Sequence, residues 1–112
     1  MLYTTFAVGG VEYKLRLDTM NIVNLEKKLG KNPISVFGND GETIPTITEM
    51  IYILHASLQP YQHNISLNDT YALYDVWLSE GHIMSDFIPV ILDIYKTSGI
   101  LKAEETTEES KN

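Results

Sequence analysis

Histidines and carboxylates are the side chains of this 112-residue chain that could bind a metal or transfer protons. The three histidines, His55, His63 and His82, stand far apart, so no two have the spacing of zinc ligands on one helix face. Asp69 and Asp75 are six residues apart in one predicted helix, which places them on different faces. There is no cysteine, which excludes thiolate metal sites and a cysteine nucleophile. We therefore expect a non-enzyme with no catalytic residue, no metal and no cofactor.

The glycine-rich segments do not match loops that hold phosphate or calcium. Residues 38–41, GNDG, are not followed by the lysine and serine or threonine of a phosphate-binding loop, and they lack the ligand spacing of an EF-hand. Gly9 and Gly10 lead into a predicted strand and not into a helix N-terminus, where phosphate binds. No small-molecule substrate is expected.

The aromatic residues are more informative, because tyrosine and tryptophan are frequent anchors of protein interfaces. Tyr71, Tyr74 and Trp77 recur at helical spacing, which is also typical of a helix buried in a bundle core. The sequence leaves both interpretations open. The residues predicted to bind a protein partner are Tyr52, Tyr61, Tyr71 and Trp77.

The chain is acidic, and its charge is unevenly distributed. Its net charge of −7 disfavours a nucleic-acid partner. Residues 1–38 carry +2, residues 39–101 carry −7 and residues 102–112 carry −2. A solvated acidic face accounts for this pattern, and so does docking of a basic partner or head-to-tail self-association. No apolar run approaches the roughly 20 residues of a membrane span, and residues 1–5 do not resemble a signal peptide.

Residues 2–17 have the alternating pattern of a β-hairpin, with Gly9 and Gly10 as a two-residue turn. The predicted register pairs Val8 with Val11, Phe6 with Tyr13, Thr4 with Leu15, and Leu2 with Leu17. Since a lone hairpin is marginally stable in water, it must pack on helices or pair with another strand. Its open edges also favour pairing between copies of the chain.

From residue 19 the apolar period lengthens to about 3.6 residues, which indicates helices. Capping residues and glycines delimit four of them, at about 19–29, 46–59, 66–80 and 85–98, with a short turn through 34–37. The residues predicted to be buried are Ile22, Val23, Leu25 and Leu29 in the first helix, Met50, Ile51, Ile53, Leu54 and Leu58 in the second, Leu67, Tyr71, Tyr74, Trp77 and Leu78 in the third, and Phe87, Ile88, Ile91, Leu92 and Tyr95 in the fourth.

These elements predict an α+β fold. Residues 1–101 form a single domain in which an N-terminal two-stranded antiparallel hairpin packs on a bundle of about four helices. Residues 102–112 contain no large apolar side chain and are predicted to be a disordered acidic tail.

Five segments, taken in order, carry a resemblance to a known family. They read FxVGGxEYKLRL at 6–17, LEKKLGxNP at 25–33, ILHASLQ at 53–59, DxWL at 75–78 and DFIPVI at 86–91. Together they resemble the tail assembly chaperones of long, non-contractile-tailed phages and prophages of Gram-positive bacteria. The resemblance covers residues 2–101.

The resemblance implies a role in building the phage tail. Such chaperones coat the tape-measure protein and keep it soluble until tail tube subunits polymerise around it, and they are absent from the mature virion. The implied partners are the tape-measure protein, further copies of the chain and, as a third, the tail tube protein. The implied location is the cytoplasm of the bacterial host.

The same family commonly makes a longer second product by programmed ribosomal frameshifting near the end of the short reading frame. Ser110, Lys111 and Asn112 can be encoded with the slippery heptamer A-AAA-AAY. Sequencing the gene tests this hypothesis, because interrupted runs of A would remove its support.

A second interpretation comes from a different class of protein. An acidic inhibitor or regulator could mimic nucleic acid and act on a nucleic-acid-binding protein of the host, and the eight acidic residues in 39–101 favour it. Against it, these acids alternate with predicted core positions and do not cluster. A tape-measure gene directly downstream favours the chaperone.

Overall fold

Two antiparallel strands form the predicted hairpin in the computed structural model, which describes residues 2–102. Strand β1 is Thr4–Val8 and strand β2 is Val11–Leu15, and Gly9 and Gly10 join them with φ angles of 59° and 77°. Only glycine adopts such positive angles without strain. Three predicted pairs are confirmed: Thr4 with Leu15, Phe6 with Tyr13, and Val8 with Val11.

The predicted fourth pair, Leu2 with Leu17, is wrong, because neither residue belongs to the strand ladder. The backbone beyond β2 bonds to the helical part of the domain instead. The Arg16 N–H donates to the carbonyl of Ser57 at 2.9 Å, and the Leu17 N–H donates to Ser98 Oγ at 2.9 Å. Leu17 is therefore in the core at 1% exposure, whereas Leu2 is 53% exposed.

Among residues 2–102, four α-helices follow the hairpin, which confirms the α+β class. They are α1 (Thr19–Leu29), α2 (Ile47–Leu58), α3 (Leu67–Ser79) and α4 (Phe87–Thr97), and two 3₁₀ helices, Pro33–Phe37 and Met84–Asp86, precede α2 and α4. Apart from Lys102, the predicted acidic tail lies outside the described residues, as does Met1. Within residues 2–102, no helix has both the length and the apolar character needed to cross a membrane.

Capping side chains define the helix boundaries. The Asp18 carboxylate accepts the Asn21 backbone N–H at 3.0 Å ahead of α1, and Gly30 ends that helix with a φ of 72°. Capping boxes begin α2 at Thr46 and α3 at Ser66. Each cap satisfies backbone N–H groups that the first helical turn leaves without a partner.

The start of α4 is later than the predicted 85–98. Asp86 Oδ2 accepts the Ile83 backbone N–H at 2.9 Å, which closes a 3₁₀ helix over Met84–Asp86. The α-helix consequently begins at Phe87. Pro89 remains in its first turn, where the missing N–H of proline removes no helical hydrogen bond.

Helix α2 is the centre of the core, because it contacts β2, α1, α3 and α4. All its predicted core residues are confirmed at 3% exposure or less: Met50, Ile51, Ile53, Leu54 and Leu58. Burying each such side chain contributes about 1.5–3 kcal/mol. The surrounding elements are therefore held in position mainly by their contacts with α2.

In helices α1 and α4, some of the residues predicted to be buried are not, and others are buried instead. Val23 of α1 is 42% exposed, and Asn21 is buried in its place because its amide is bound by the carboxylate that caps the helix. In α4, Ile94 is fully buried, whereas Ile88 and Leu92 are only partly buried.

The predicted aromatic stripe of α3 divides between core and surface. Tyr74 and Trp77 are each 4% exposed, but Tyr71 is 49% exposed. Because successive helical residues advance by about 100°, Tyr71 lies about 120° from Trp77 around the axis. Thr70 occupies the buried position instead, and its hydroxyl donates to the Ser66 carbonyl at 2.9 Å.

Candidate protein-binding surface

A groove of about 380 Å³ lies between α2 and α3. Its lining consists of Ile47, Thr48, Ile51 and Tyr52 from α2 and Tyr71, Tyr74, Asp75 and Leu78 from α3. Its volume is in the range of ligand-binding clefts, and most of its lining is apolar or aromatic. We call it the α2–α3 groove.

Both helices expose apolar side chains in this groove. Ile47 is 44% exposed in the first turn of α2, and Tyr71 is 49% exposed on α3. Ile51, one turn after Ile47, is 3% exposed and belongs to the core. The groove therefore joins the hydrophobic core to an apolar rim in contact with solvent.

Two polar groups of the groove have no partner within residues 2–102. The hydroxyl of Tyr74 is buried without a hydrogen bond, and burial raises the pKa of this phenol. The Asp75 side chain is exposed and forms no ion pair or hydrogen bond with a described residue. Burying a hydroxyl without a partner costs about 1–3 kcal/mol. A molecule with a donor that reaches the exposed Asp75 carboxylate would form an interaction that residues 2–102 do not supply.

A second cleft, of about 350 Å³, lies between α1 and α2. Its polar lining residues are Asn21, Asn24, Lys27, Lys28, Tyr52, His55 and Gln59. Tyr52 lines both cavities, and the Lys28 ammonium lies 5.6 Å from the centroid of its ring. Tyr52 thus stands between a cleft that contains two lysines and a groove that contains Asp75.

His55, in the second cleft, connects α2 to the loop before α3. Its Nε2 lies 3.0 Å from the Ile65 carbonyl and 3.2 Å from the amide nitrogen of Gln59. Burial lowers the pKa of its imidazole, against the opposing effect of the Ile65 hydrogen bond, and Lys28 lowers it further. Within residues 2–102, no cluster of three or more His, Asp or Glu side chains could hold a metal ion.

The residues predicted to bind a protein do not form one surface. Tyr52 and Tyr71 lie together in the α2–α3 groove. Tyr61 lines neither cavity and is 38% exposed. Its ring lies edge-on to Tyr3 with the centroids 6.1 Å apart, and the Lys14 ammonium is 5.8 Å from its centroid. The structure thus brings two of the four together.

Trp77, the fourth predicted residue, is part of the core. Its ring centroid lies 5.6 Å from that of Phe6 and 5.7 Å from those of Tyr74 and Phe87. The His82 ring stacks on it at 4.3 Å with an interplanar angle of 5°. The chain itself encloses this indole, so Trp77 fits the core interpretation that the sequence had left open.

A family model matches this chain over residues 2–112 and is described as a family of unknown function, DUF6096. The chain belongs to this family. The comparisons with curated proteins and with solved structures found no match. Because the family description names no activity or partner, the relation to tail assembly chaperones stays a prediction.

Sequence reasoning missed two contributions to the groove of this DUF6096 member. Neither Ile47 nor Asp75 was among the four residues predicted to bind a protein partner. The sequence signal for Ile47 is its position: it is an apolar residue directly after the N-cap Thr46, one turn before Ile51. No comparable signal identifies Asp75, since its place in the groove depends on how α3 packs.

Proposed function

We propose that this chain is a phage tail assembly chaperone that binds the tape-measure protein and keeps it soluble until tail tube subunits assemble around it. It is not an enzyme. It acts in the cytoplasm of the bacterial host and is absent from the mature virion. Its proposed partners are the tape-measure protein, other copies of itself and the tail tube protein.

The observation that carries this proposal is the α2–α3 groove. A chaperone for a long helical protein must offer apolar surface while its own core stays intact. Ile47 and Tyr71 expose such surface beside a core in which α2 is almost fully enclosed. Concave apolar surface between helices suits recognition of a partner helix.

The charge of the chain is a second support. Its net charge of −7 would be added to the partner with each bound copy, and like charge keeps assemblies apart in solution. The proposed longer frameshifted product would extend from the C-terminus, whose last residues lie outside the described part of the chain.

The acidic regulator receives less support from the structure. Six of the eight acidic side chains in residues 39–101 accept hydrogen bonds or form ion pairs inside the domain: Asp40, Glu49, Asp69, Glu80, Asp86 and Asp93. A nucleic-acid mimic needs its carboxylates free to contact a basic site. These acids instead cap helices and fasten loops.

Co-expression with the tape-measure protein encoded in the same gene cluster tests the proposal. We expect the tape-measure protein to aggregate alone, and to be soluble and co-purify with an affinity-tagged copy of this chain. An unrelated acidic protein of similar size is the control for solubilisation by charge alone. Aggregation without co-purification, both with this chain and with its frameshifted product, would overturn the proposal.

A further inference from the structure

We infer that the α2–α3 groove binds an amphipathic helix that carries lysine or arginine beside its apolar face. The inference rests on the proposed function only for the name of the partner, a helical segment of the tape-measure protein. The chemistry of the occupant comes from the groove itself.

The walls of the groove favour a helical occupant. Both walls are α-helices, whose backbone N–H and C=O groups bond within the same helix. They offer no row of free backbone groups, so an extended peptide would find no backbone partner on either wall. A helix satisfies its own backbone and presents a side-chain face, which is how helices bind in grooves.

The exposed side chains require that face to be apolar. Ile47 and Tyr71, which are 44% and 49% exposed, come from the two opposite helices. Ile51 and Tyr74 connect them to the core. An occupant with apolar residues spaced three or four apart would cover both exposed side chains at once.

Asp75, the charged side chain of the groove lining, favours a cationic flank on the occupant. Residues 46–81, which include both helices, contain four acidic residues and no lysine or arginine. Three of these acids have partners: Glu49 binds Lys31 and caps α2, and the other two bond to backbone N–H groups. Asp75, which lines the groove, has none within residues 2–102.

The same charge argues against the chain's own C-terminal segment as occupant. Residues 103–112 contain four glutamates and one lysine, so they would bring like charge to Asp75. A second copy is a more serious alternative, because α1 exposes Met20 and Val23 and ends with Lys27 and Lys28. The experiment therefore has to distinguish a partner helix from a second copy.

The test uses two fluorescein-labelled peptides of 15 residues, about the length of α3. They share one leucine face, and the remaining positions are alanine with lysine in one peptide and alanine with glutamate in the other. Fluorescence anisotropy with the purified full chain measures binding. We expect the lysine peptide to bind at least tenfold more tightly than the glutamate peptide.

Substitutions locate the binding site. Tyr71→Asp should weaken binding of the lysine peptide at least tenfold. Met20→Asp makes the same change of charge at an exposed residue of α1 and should leave this binding unchanged. Asp75→Lys should abolish the preference for the lysine peptide. Glu42→Lys, in an exposed loop, is its control because it changes the net charge equally. Circular dichroism confirms that each variant is folded.

Three results would overturn the inference. The first is equal binding of the two peptides, and the second is equal effects of the groove variants and their controls. The third is a chain that is already dimeric, does not bind the lysine peptide and becomes monomeric with Tyr71→Asp, since the groove would then hold a second copy.

The groove inference and the proposed function can be refuted separately. If the tape-measure protein is solubilised but the peptides show no preference, the chaperone stands and binds through another surface. If the peptides bind as expected but the tape-measure protein aggregates, the groove is a helix-binding site with a different natural partner.

Discussion

Replacing Tyr95 by phenylalanine isolates one buried hydrogen bond of this fold. Tyr95 is 0% exposed, and its hydroxyl donates to the Pro33 carbonyl at 2.8 Å. The bond connects α4 to the 3₁₀ helix Pro33–Phe37, and the Tyr95 ring also lies edge-on to Phe37 with the centroids 6.3 Å apart. Phenylalanine keeps the ring and removes the hydroxyl, so the change tests the bond and not the packing.

The expected loss of stability at pH 7 is about 1–3 kcal/mol. A typical hydrogen bond contributes about 0.5–1.5 kcal/mol, and the loss increases when the remaining partner stays buried without a bond. In a domain of about 100 residues each kcal/mol lowers the melting temperature by about 4–8 °C. The Tyr95→Phe variant should therefore melt at least about 4 °C below the wild type.

The same substitution should change the response to alkaline pH. Burial raises the pKa of Tyr95 above its ordinary value, and the charge of Glu49 raises it further. The folded chain therefore keeps this proton at a pH at which the unfolded chain releases it. The contribution of this proton to the free energy of unfolding is fully present below about pH 10, the pKa of an unfolded tyrosine. Above that pH the contribution falls by about 1.4 kcal/mol per pH unit. Since phenylalanine has no such proton, the difference between wild type and variant should shrink as the pH rises above 10.

Urea unfolding at pH 7, 9 and 11, followed by circular dichroism, measures both effects. Tyr74→Phe is the matched control, because the Tyr74 hydroxyl is buried with no partner among residues 2–102 and its removal should leave stability at pH 7 unchanged or increased. Equal losses in the two variants at pH 7 would refute the assignment of the hydrogen bond. A difference between wild type and Tyr95→Phe that stays constant from pH 9 to 11 would refute the reasoning on the pKa.

Three further substitutions test the core, a helix cap and a turn. Leu54→Ala should lower the free energy of unfolding by about 2–5 kcal/mol, because this side chain of α2 is fully buried. The shift of the urea midpoint measures this loss. Thr46→Ala should cost about 0.5–2 kcal/mol by removing the N-cap of α2, measured in the same way. Gly38→Ala should cost more than about 2 kcal/mol, visible as a lower melting temperature. It forces a left-handed φ of 76° on alanine and drives its Cβ into the Thr43 side chain.

Each of these has a control in the same chain. Met20→Ala, at a side chain that is 67% exposed, should change stability by less than about 0.5 kcal/mol. Thr48→Ala removes a similar side chain from α2 without touching its cap. Gly41→Ala places alanine at a φ of 77° with open space around its Cβ. A loss as large in any control as in its partner would contradict the mechanism given for that partner.

Much of the local structure was predictable because its causes are local. The pair Gly9-Gly10 determines where the hairpin turns, and the position of this turn determines the register of the strands. Asp18, Thr46 and Ser66 mark the starts of three helices because each side chain bonds to a backbone N–H only three positions away. Such interactions need no information from the rest of the fold.

The exposure of individual aromatic residues was not predictable in the same way. Tyr71, Tyr74 and Trp77 recur every three residues in the sequence, yet only Tyr74 and Trp77 enter the core. A helical period shows which residues share a face, but the neighbouring elements decide which part of that face is covered. Here Phe6 of β1 and Phe87 of α4 cover Trp77. Phe6 is distant from Trp77 in sequence, and Phe87 is separated from it by a turn.

The sequence by itself thus determined the α+β class, the hairpin and the ends of most helices, because propensities, caps and glycine turns act over a few residues. The tertiary structure alone decided that Ile47, Tyr71 and Asp75 line one groove. A groove is the space left between two packed helices, and their separation depends on every side chain of the core that surrounds α2. The candidate site therefore became visible only once the whole domain was assembled.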